Sequence, residues 1–122
     1  MGERNLKLQR ASAAEAAGAL SLDALEALSA EVGALRWRKV SDAAQVVACY
    51  LSCHPRLEEV RYPGLKSDPD FPQAANRLVG GFGPRVAWRA FGTPAGEWTL
   101  WEADSRDPRD QVMDLERLLN RA

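Results

Sequence analysis

The sequence predicts an α+β domain in which helices cover one face of a small, mostly antiparallel sheet of about three strands. Two runs of alternating residues, at 85–91 and 97–103, are typical of half-buried strands. Residues 92–96 between them are rich in Gly and Pro and suit a hairpin turn, so we expect the two strands to be antiparallel neighbours. Apolar residues at helical spacing lie before and after this hairpin, and these segments are expected to form the covering helices.

One long helix is expected from Ser21 to the residues before Pro55. Ser21 is a good N-cap residue. The apolar residues after it recur at helical spacing: Leu22, Leu25, Leu28, Val32, Leu35, Ala43, Val46, Val47, Tyr50 and Leu51. We expect a bend near Val40 and Ser41. Pro55 ends the helix because a proline moves the residue before it, His54, out of the helical region.

Three further elements and a division of the chain follow from turn and cap residues. A short strand begins at Leu57, and a short helix is expected over 70–79 after a Pro-Gly turn. A final helix begins with Asp107 as N-cap and Pro108 at the first helical position. We expect residues 1–20 to form an N-terminal arm that is partly helical or disordered, and residues 21–122 to form a single domain.

The charge balance excludes two classes of partner. The 122 residues carry 16 Lys and Arg against 17 Asp and Glu, a formal net charge of -1. Such a chain has no long-range field to attract phosphate polymers or anionic lipid, so we expect no nucleic-acid and no membrane partner. No apolar run approaches the ~20 residues needed to cross a bilayer. Residues 1–10 lack the apolar stretch of a signal peptide, so a cytoplasmic location is expected.

The two cysteines are interpreted as reduced thiols on a core-facing side of the long helix. Cys49 and Cys53 are four residues apart, a helical arrangement unsuited to a relaxed disulfide. His54 is adjacent but points about 100° around the helix from Cys53, and a fourth ligand is missing. We therefore expect no metal site.

Other candidate sites have structural interpretations. The glycine-rich stretch 80–83 is interpreted as a helix-to-strand turn and not as a phosphate cradle, because a strand led by Pro84 follows it. His54 has no Ser or Asp partner at a motif spacing, so we interpret it as a cap of helix carbonyls and not as a general base.

Two pairs of carboxylates, Glu58 with Glu59 and Asp104 with Asp107, are interpreted as solvated or capping groups. Adjacent residues of a strand point to opposite faces, and carboxylates in turns commonly cap helices. We therefore assign no catalytic and no cofactor-binding residue.

The four tryptophans are the candidates for an interface. Trp98 and Trp101 are expected on opposite faces of one strand, so they cannot both enter one core. Trp88 is expected in the core. The candidate interface residues are Trp37, Trp98 and Trp101.

The stretch from His54 to Gly83 carries the most specific pattern. It contains His54-Pro55, then Val60-Arg61-Tyr62-Pro63-Gly64-Leu65 with Ser67 and Pro69, then Gly81-Phe82-Gly83. This pattern resembles the C-terminal domain of the trans-sulfuration enzymes, the pyridoxal-phosphate proteins of cysteine and methionine metabolism such as cystathionine gamma-synthase and gamma-lyase. The resemblance implies the fold of the C-terminal domain of fold-type I pyridoxal-phosphate enzymes.

The chain departs from that family at its active site. The resemblance implies a large catalytic domain with a Schiff-base lysine after Ser-x-Thr, and neither the domain nor that motif is found around Lys7, Lys39 or Lys66. Leu100 falls where the family has an arginine that grips the substrate carboxylate, which leaves Arg106 as a weak substitute. We expect no cofactor in this chain, and pyridoxal phosphate only if a large-domain partner exists.

The resulting hypothesis is a stand-alone, non-catalytic relative of this C-terminal domain that acts as a binding or assembly module. It is expected to form a homodimer, or to bind a protein partner that covers the face vacated by the missing large domain. Two alternatives stay open. The chain is one piece of a split or truncated pyridoxal-phosphate lyase or transferase whose large domain is a separate polypeptide, or it is a sensor of a small amino-acid-like ligand.

Overall fold

The computed structural model describes residues 8–121, and it confirms the α+β class with an antiparallel sheet. Its elements in chain order are β1 Leu8–Ser12, α1 Ala13–Ala19, α2 Leu22–Val32, α3 Ala34–Ser52, β2 Leu57–Arg61, α4 Phe71–Arg77, β3 Arg85–Ala90, β4 Glu97–Glu102 and α5 Pro108–Arg121.

The sheet has the order β1-β4-β3-β2, and all neighbouring strands are antiparallel. Strands β3 and β4 form the expected hairpin, with Val86 opposite Trp101. The fourth strand, β1, was not predicted. Its five residues pair with β4 from Leu8 opposite Trp101 to Ser12 opposite Glu97, so residues near the N-terminus form one edge of the sheet.

The other edge, β2, is irregular. Leu57 lies opposite Ala90 while Glu59 lies opposite Arg89, so Glu58 is an extra residue in the ladder. Such a bulge bends an edge strand and interrupts its hydrogen-bonding groups. The two edges of the sheet therefore differ, because no such irregularity interrupts the pairing of β1 with β4.

Apolar residues are buried on both faces of the sheet. The larger core lies between the sheet and helices α3 and α5, with Val86, Trp88 and Trp101 from the sheet. A smaller cluster lies on the opposite face and consists of Ala11, Ala16, Leu20, Ala87 and Leu100. The expectation that helices lie on one face alone is therefore corrected, since α1 covers part of the second face.

The long helix is divided in two at Gly33. Gly33 has φ of 88°, a left-handed conformation that a glycine adopts without the steric cost paid by other residues. This residue ends α2 and precedes α3, so the expected bend near Val40 and Ser41 is wrong in place. Both of those residues lie inside α3 and are buried.

The cysteines lie on the outer side of α3. Cys49 and Cys53 are both free and exposed, which corrects the expectation of a core-facing position. The buried side of this part of the helix is formed by its neighbours Ala44, Val47 and Leu51. Within residues 8–121, no three His, Cys, Asp or Glu side chains are grouped to hold a metal ion. In the same range, no helix combines the length and the apolar character required of a membrane span.

Candidate functional site

The glycine-rich loop between α4 and β3 is fastened to the side of α3. The indole N–H of Trp37 donates to the carbonyl of Gly81 at 3.2 Å. The Ser41 hydroxyl accepts the N–H of Gly83 at 2.9 Å. On the other side, the Tyr62 hydroxyl donates to the carbonyl of Gly83 at 2.8 Å. These three buried or partly buried hydrogen bonds hold the loop in one conformation, because each would cost free energy if broken without water to replace it.

The side of this loop that faces α3 is closely packed. A methyl group added at Gly81 would overlap the side chain of Ser41, and one added at Gly83 would lie 3.1 Å from the Trp37 ring. The loop leads into strand β3 and not into a helix, so it offers no helix N-terminus to an anion. The chain uses these glycines for close packing against α3.

The turn after β2 is organised by one buried carboxylate. The side chain of Asp68 is 1% exposed and accepts the Arg61 Nε–H at 2.8 Å. It also accepts the backbone N–H groups of Tyr62 at 3.0 Å and Asp70 at 2.9 Å. The hydrogen bond and charge of Asp68 raise the pKa of Arg61, although partial burial opposes this. All these donors lie within residues 61–70, so the Asp68 carboxylate is a structural centre for the Tyr62–Asp70 turn.

The lysines lie apart from this network. Lys39 is exposed on α3, and Lys66 is exposed in the turn after β2. Lys7 lies outside the described residues. Neither described lysine reaches the glycine loop through a hydrogen bond, and neither lines the cavity described below.

The substitute for the family's carboxylate-binding arginine is already engaged. The Arg106 guanidinium binds the Asp104 carboxylate at 3.1 Å and that of Asp114 at 3.2 Å. The nearby Gln111 side chain, 1% exposed, donates to the backbone carbonyls of Asp104 and Arg106. Leu100 is buried in the smaller apolar cluster. Leu100 has no donor for a substrate carboxylate, and the charge of Arg106 is already compensated by two aspartates.

His54 has a different role from the expected one. Its side chain is 7% exposed, and Nδ1 accepts the backbone N–H of Arg56 at 3.1 Å. Nε2 lies 3.9 Å from the Glu116 carboxylate, and the ring packs edge-on against Tyr50. The imidazole therefore accepts a backbone N–H and does not cap a helix carbonyl. It links the end of α3 to α5.

The pair Glu58 and Glu59 faces a single guanidinium, which corrects the expectation that they point to opposite faces. Arg89 binds Glu58 at 2.8 Å and Glu59 at 3.4 Å. The bulge in β2 explains this arrangement, because the extra residue interrupts the strict alternation of the strand. Both carboxylates are partly exposed ion-pair partners.

The second carboxylate pair caps turns, as expected. The Asp104 carboxylate accepts the backbone N–H of Arg106 at 2.9 Å. The Asp107 carboxylate accepts that of Arg109 at 2.8 Å at the start of α5. Hydrogen bonds from Arg109 lower the pKa of Asp107, which keeps this cap ionised.

The candidate interface tryptophans lie in three different environments. Trp37 is 1% exposed beneath the glycine loop, and Trp101 is 6% exposed in the larger core. Trp98 is half-buried beside the smaller cluster on the opposite face, where the Arg89 guanidinium lies 5.9 Å from its ring centroid. Its indole N–H is buried and has no partner among the described residues. An interface role stays a prediction for all three, and Trp98 is the one with exposed surface.

A cavity of about 760 Å³ opens beside the hairpin, near Trp98. Charged side chains of both signs line it, namely Arg10, Glu15, Arg89 and Glu97, together with apolar groups from β1 and the end of α5. Glu15 is used in the N-terminal cap of α1, since its side chain accepts the N–H of Ser12. The cavity is thus an open recess lined by two guanidinium groups and two carboxylates.

No family model matches the chain. The chloroplastic mimosinase of Mimosa pudica is 45% identical to it over 38 residues, which are 31% of this chain and 9% of that protein. Cystathionine gamma-synthase of Xanthomonas oryzae pv. oryzae, solved with cystathionine, has a TM-score of 0.64 at 18% identity. The match covers 71% of this chain and 34% of that one.

A second solved structure has a similar fold. It is described as an O-acetylhomoserine (thiol)-lyase of Campylobacter jejuni, and it has a TM-score of 0.60 at 18% identity, over 69% of this chain and 28% of that one. The chain has the fold of part of a trans-sulfuration enzyme. The resemblance drawn from the sequence is confirmed at the level of fold, and the partial coverage is consistent with a C-terminal domain. The chain spans about a third or less of the length of these enzymes.

The described residues of this trans-sulfuration fold do not fit pyridoxal phosphate. The Campylobacter structure contains a pyridoxyl-lysine phosphate residue. Such a lysine needs a pocket for the pyridine ring and donors for the phosphate. Here Lys39 and Lys66 are exposed, and the glycine loop is filled by side chains of α3. We therefore derive no chemical step through this cofactor.

Proposed function

We propose that this chain is a non-catalytic binding or assembly module that uses the trans-sulfuration C-terminal fold without its chemistry. One observation carries the proposal. The clustered polar groups described above are engaged in holding the fold. Ser41 and Tyr62 bind the glycine loop, Asp68 organises the turn after β2, and Arg106 is bound to two aspartates.

The surface supports association with a second copy. Leu35 is 86% exposed and Val79 is 84% exposed. Leu35 lies two residues before Trp37, and Val79 lies two residues before Gly81. The Trp37 indole N–H donates to the Gly81 carbonyl, so this contact joins the two segments that carry the exposed side chains. Apolar side chains that are this exposed gain free energy when a partner covers them. A homodimer is the assembly that we propose. The free thiols Cys49 and Cys53 suit a reducing compartment, which supports a cytoplasmic location.

Reaction with pyridoxal phosphate tests the absence of catalysis. The purified chain is incubated with the cofactor, reduced with borohydride and analysed by intact mass, beside a Lys39→Arg, Lys66→Arg control. We expect at most a substoichiometric adduct, spread over exposed lysines. A stoichiometric adduct on one lysine that the control abolishes would overturn the non-catalytic assignment.

A split enzyme is the second candidate, and the partial coverage favours it. The chain spans 28–34% of its structural neighbours, so the remainder of such an enzyme would come from another polypeptide. The neighbouring reading frames decide this case. A frame that encodes the large domain, and whose product co-purifies with this chain and gains activity from it, supports the split enzyme. An unrelated neighbouring frame supports the module.

A further inference from the structure

Strand β1, helix α1 and the C-cap residue Leu20, residues 8–20, form a separate unit of the fold, here called the N-terminal unit. It supplies Ala11, Ala16 and Leu20 to the smaller apolar cluster, and strands β3 and β4 supply Ala87 and Leu100. The larger core is built almost entirely from the rest of the chain, and Leu8 only packs against it. The unit is thus an addition to a three-stranded sheet that already has its own core.

The partners of the N-terminal unit are distant in sequence. Among residues 8–121, strand β1 pairs with β4 alone, and the Arg85 guanidinium donates to the carbonyl of Ala19 at 3.0 Å. All these partners belong to the β3–β4 hairpin and its ends. The β3–β4 hairpin of a second copy presents the same partners, so the N-terminal unit of either copy can pack on either hairpin.

The connection between the N-terminal unit and the domain is very short. Helix α1 ends at Ala19 and α2 begins at Leu22, so only Leu20 and Ser21 lie between them. The segment from Ala13 to Val32 is rich in strong helix formers on both sides of this joint. If the joint straightens, α1 and α2 become one helix about 30 Å long, which moves β1 away from its own sheet.

We propose that two copies of this chain exchange their N-terminal units, so that β1 of each copy completes the sheet of the other. The proposal rests on the assembly role proposed above and specifies how the homodimer forms. Each exchanged unit rebuilds the pairing of β1 with β4 and the apolar cluster around Leu100. Straightening loses the cap in which the Ser21 hydroxyl accepts the N–H of Ala24, at 3.2 Å. It gains helical hydrogen bonds across the joint.

Disulfide trapping across β1 and β4 tests the exchange. Arg10 lies directly opposite Thr99, a separation that suits a disulfide. The variant carries Arg10→Cys and Thr99→Cys with Cys49→Ser and Cys53→Ser, because the native thiols are exposed. Isotopically labelled and unlabelled protein are mixed, unfolded, refolded together at low and high concentration, and then oxidised. The control carries Glu59→Cys and Arg89→Cys instead of the changes at Arg10 and Thr99. Glu59 of β2 lies opposite Arg89 of β3, and exchange of the N-terminal unit does not separate these two strands.

The outcomes distinguish exchange of the N-terminal units from formation of a homodimer without exchange. We expect the dimer fraction to contain disulfides that join a labelled residue 10 to an unlabelled residue 99, and the control to give links within one chain alone. A dimer whose residue 10–99 links are all within one chain would overturn the exchange and leave the assembly in place. A monomer at every concentration would overturn both the exchange and the proposed homodimer.

Discussion

The Ser41 hydroxyl accepts the backbone N–H of Gly83 at 2.9 Å, and this bond joins the middle of α3 to the glycine loop. Ser41 is 2% exposed, so water cannot replace the hydroxyl if it is removed. The loop on one side of this bond and the helix on the other both border the larger core. The bond therefore couples the position of β3 to that of α3.

Replacement of Ser41 by Ala is expected to leave the Gly83 N–H buried without an acceptor. The expected loss in the free energy of unfolding is about 1–3 kcal/mol. The matched control is Ser52→Ala, which removes an exposed hydroxyl bonded to the Cys49 carbonyl of the same helix and should cost less than about 0.5 kcal/mol. Urea unfolding of both variants measures the difference. Equal losses would show that the loop does not depend on this bond.

Replacement of Gly81 by Ala tests how closely the loop packs against α3. Gly81 has φ of 144°, and an added methyl group would overlap Ser41. We expect a loss of about 2–5 kcal/mol, from backbone strain together with overpacking. Gly92→Ala is the control, because Gly92 has φ of 86° and open space around its Cα. It should cost about 1–2 kcal/mol from strain alone. A Gly81 variant no less stable than the Gly92 variant would contradict the packing.

Tyr62 is expected to make the stability fall at high pH. Burial raises the pKa of its hydroxyl above the ordinary value, with a smaller contribution from Asp42. The folded state therefore keeps the proton that the unfolded state releases near pH 10. This contribution to stability is complete below about pH 10 and declines above it, by up to about 1.4 kcal/mol per pH unit. Denaturant unfolding between pH 9 and 11, a range set by the ~10 of free tyrosine, should show the decline.

The two tyrosines give opposite expectations when each is replaced by Phe. Tyr62→Phe removes the hydrogen bond to Gly83 and should cost about 1 kcal/mol at neutral pH, while removing its part of the alkaline decline. The Tyr50 hydroxyl is buried without a partner among the described residues, so Tyr50→Phe should be neutral or stabilising. A Tyr62 variant that keeps the full alkaline decline would assign that decline to another group.

Replacement of Asp68 by Asn is expected to disrupt the turn between β2 and α4. An amide cannot accept all the donors of Arg61, Tyr62 and Asp70, and it leaves the Arg61 charge without its buried partner. A loss of about 3–5 kcal/mol is expected. Asp70→Asn removes one partly exposed contact to Arg61 and should cost less than about 1 kcal/mol. Thermal unfolding of the two variants, side by side, makes the comparison, and similar midpoints would argue against a central role for Asp68.

The elements that local patterns specify were predicted well from the sequence. The β3–β4 hairpin and α5 have strong alternation, turn residues and caps, and both lie where expected. Strand β1 was missed because Leu-Gln-Arg-Ala-Ser has no alternation of its own, and it becomes a strand only through pairing with β4, far along the chain. The helix end at Gly33 could have been predicted from the sequence, since Gly commonly follows the end of a helix.

The candidate site was harder to predict than the fold. The glycine loop was correctly predicted as a helix-to-strand turn, because the strand after it is a local feature. The shared contact of Glu58 and Glu59 with Arg89 depends on one extra residue in β2, which alternation alone does not show. The outward position of Cys49 depends on which side of α3 meets the sheet. The spacing of apolar residues did not resolve this, because Val46 is apolar and also exposed.

The bulged strand β2 also limits how many molecules can add to one another through their sheet edges. Ordered fibres form when each molecule offers two compatible strand edges, so that every added molecule leaves a fresh edge for the next one. Here the irregular pairing at Glu58 and the charges of Glu58 and Glu59 make one edge unsuitable as a template. Any association through strand edges would therefore use the β1 side, and two copies joined edge to edge at β1 would present only bulged edges to a third.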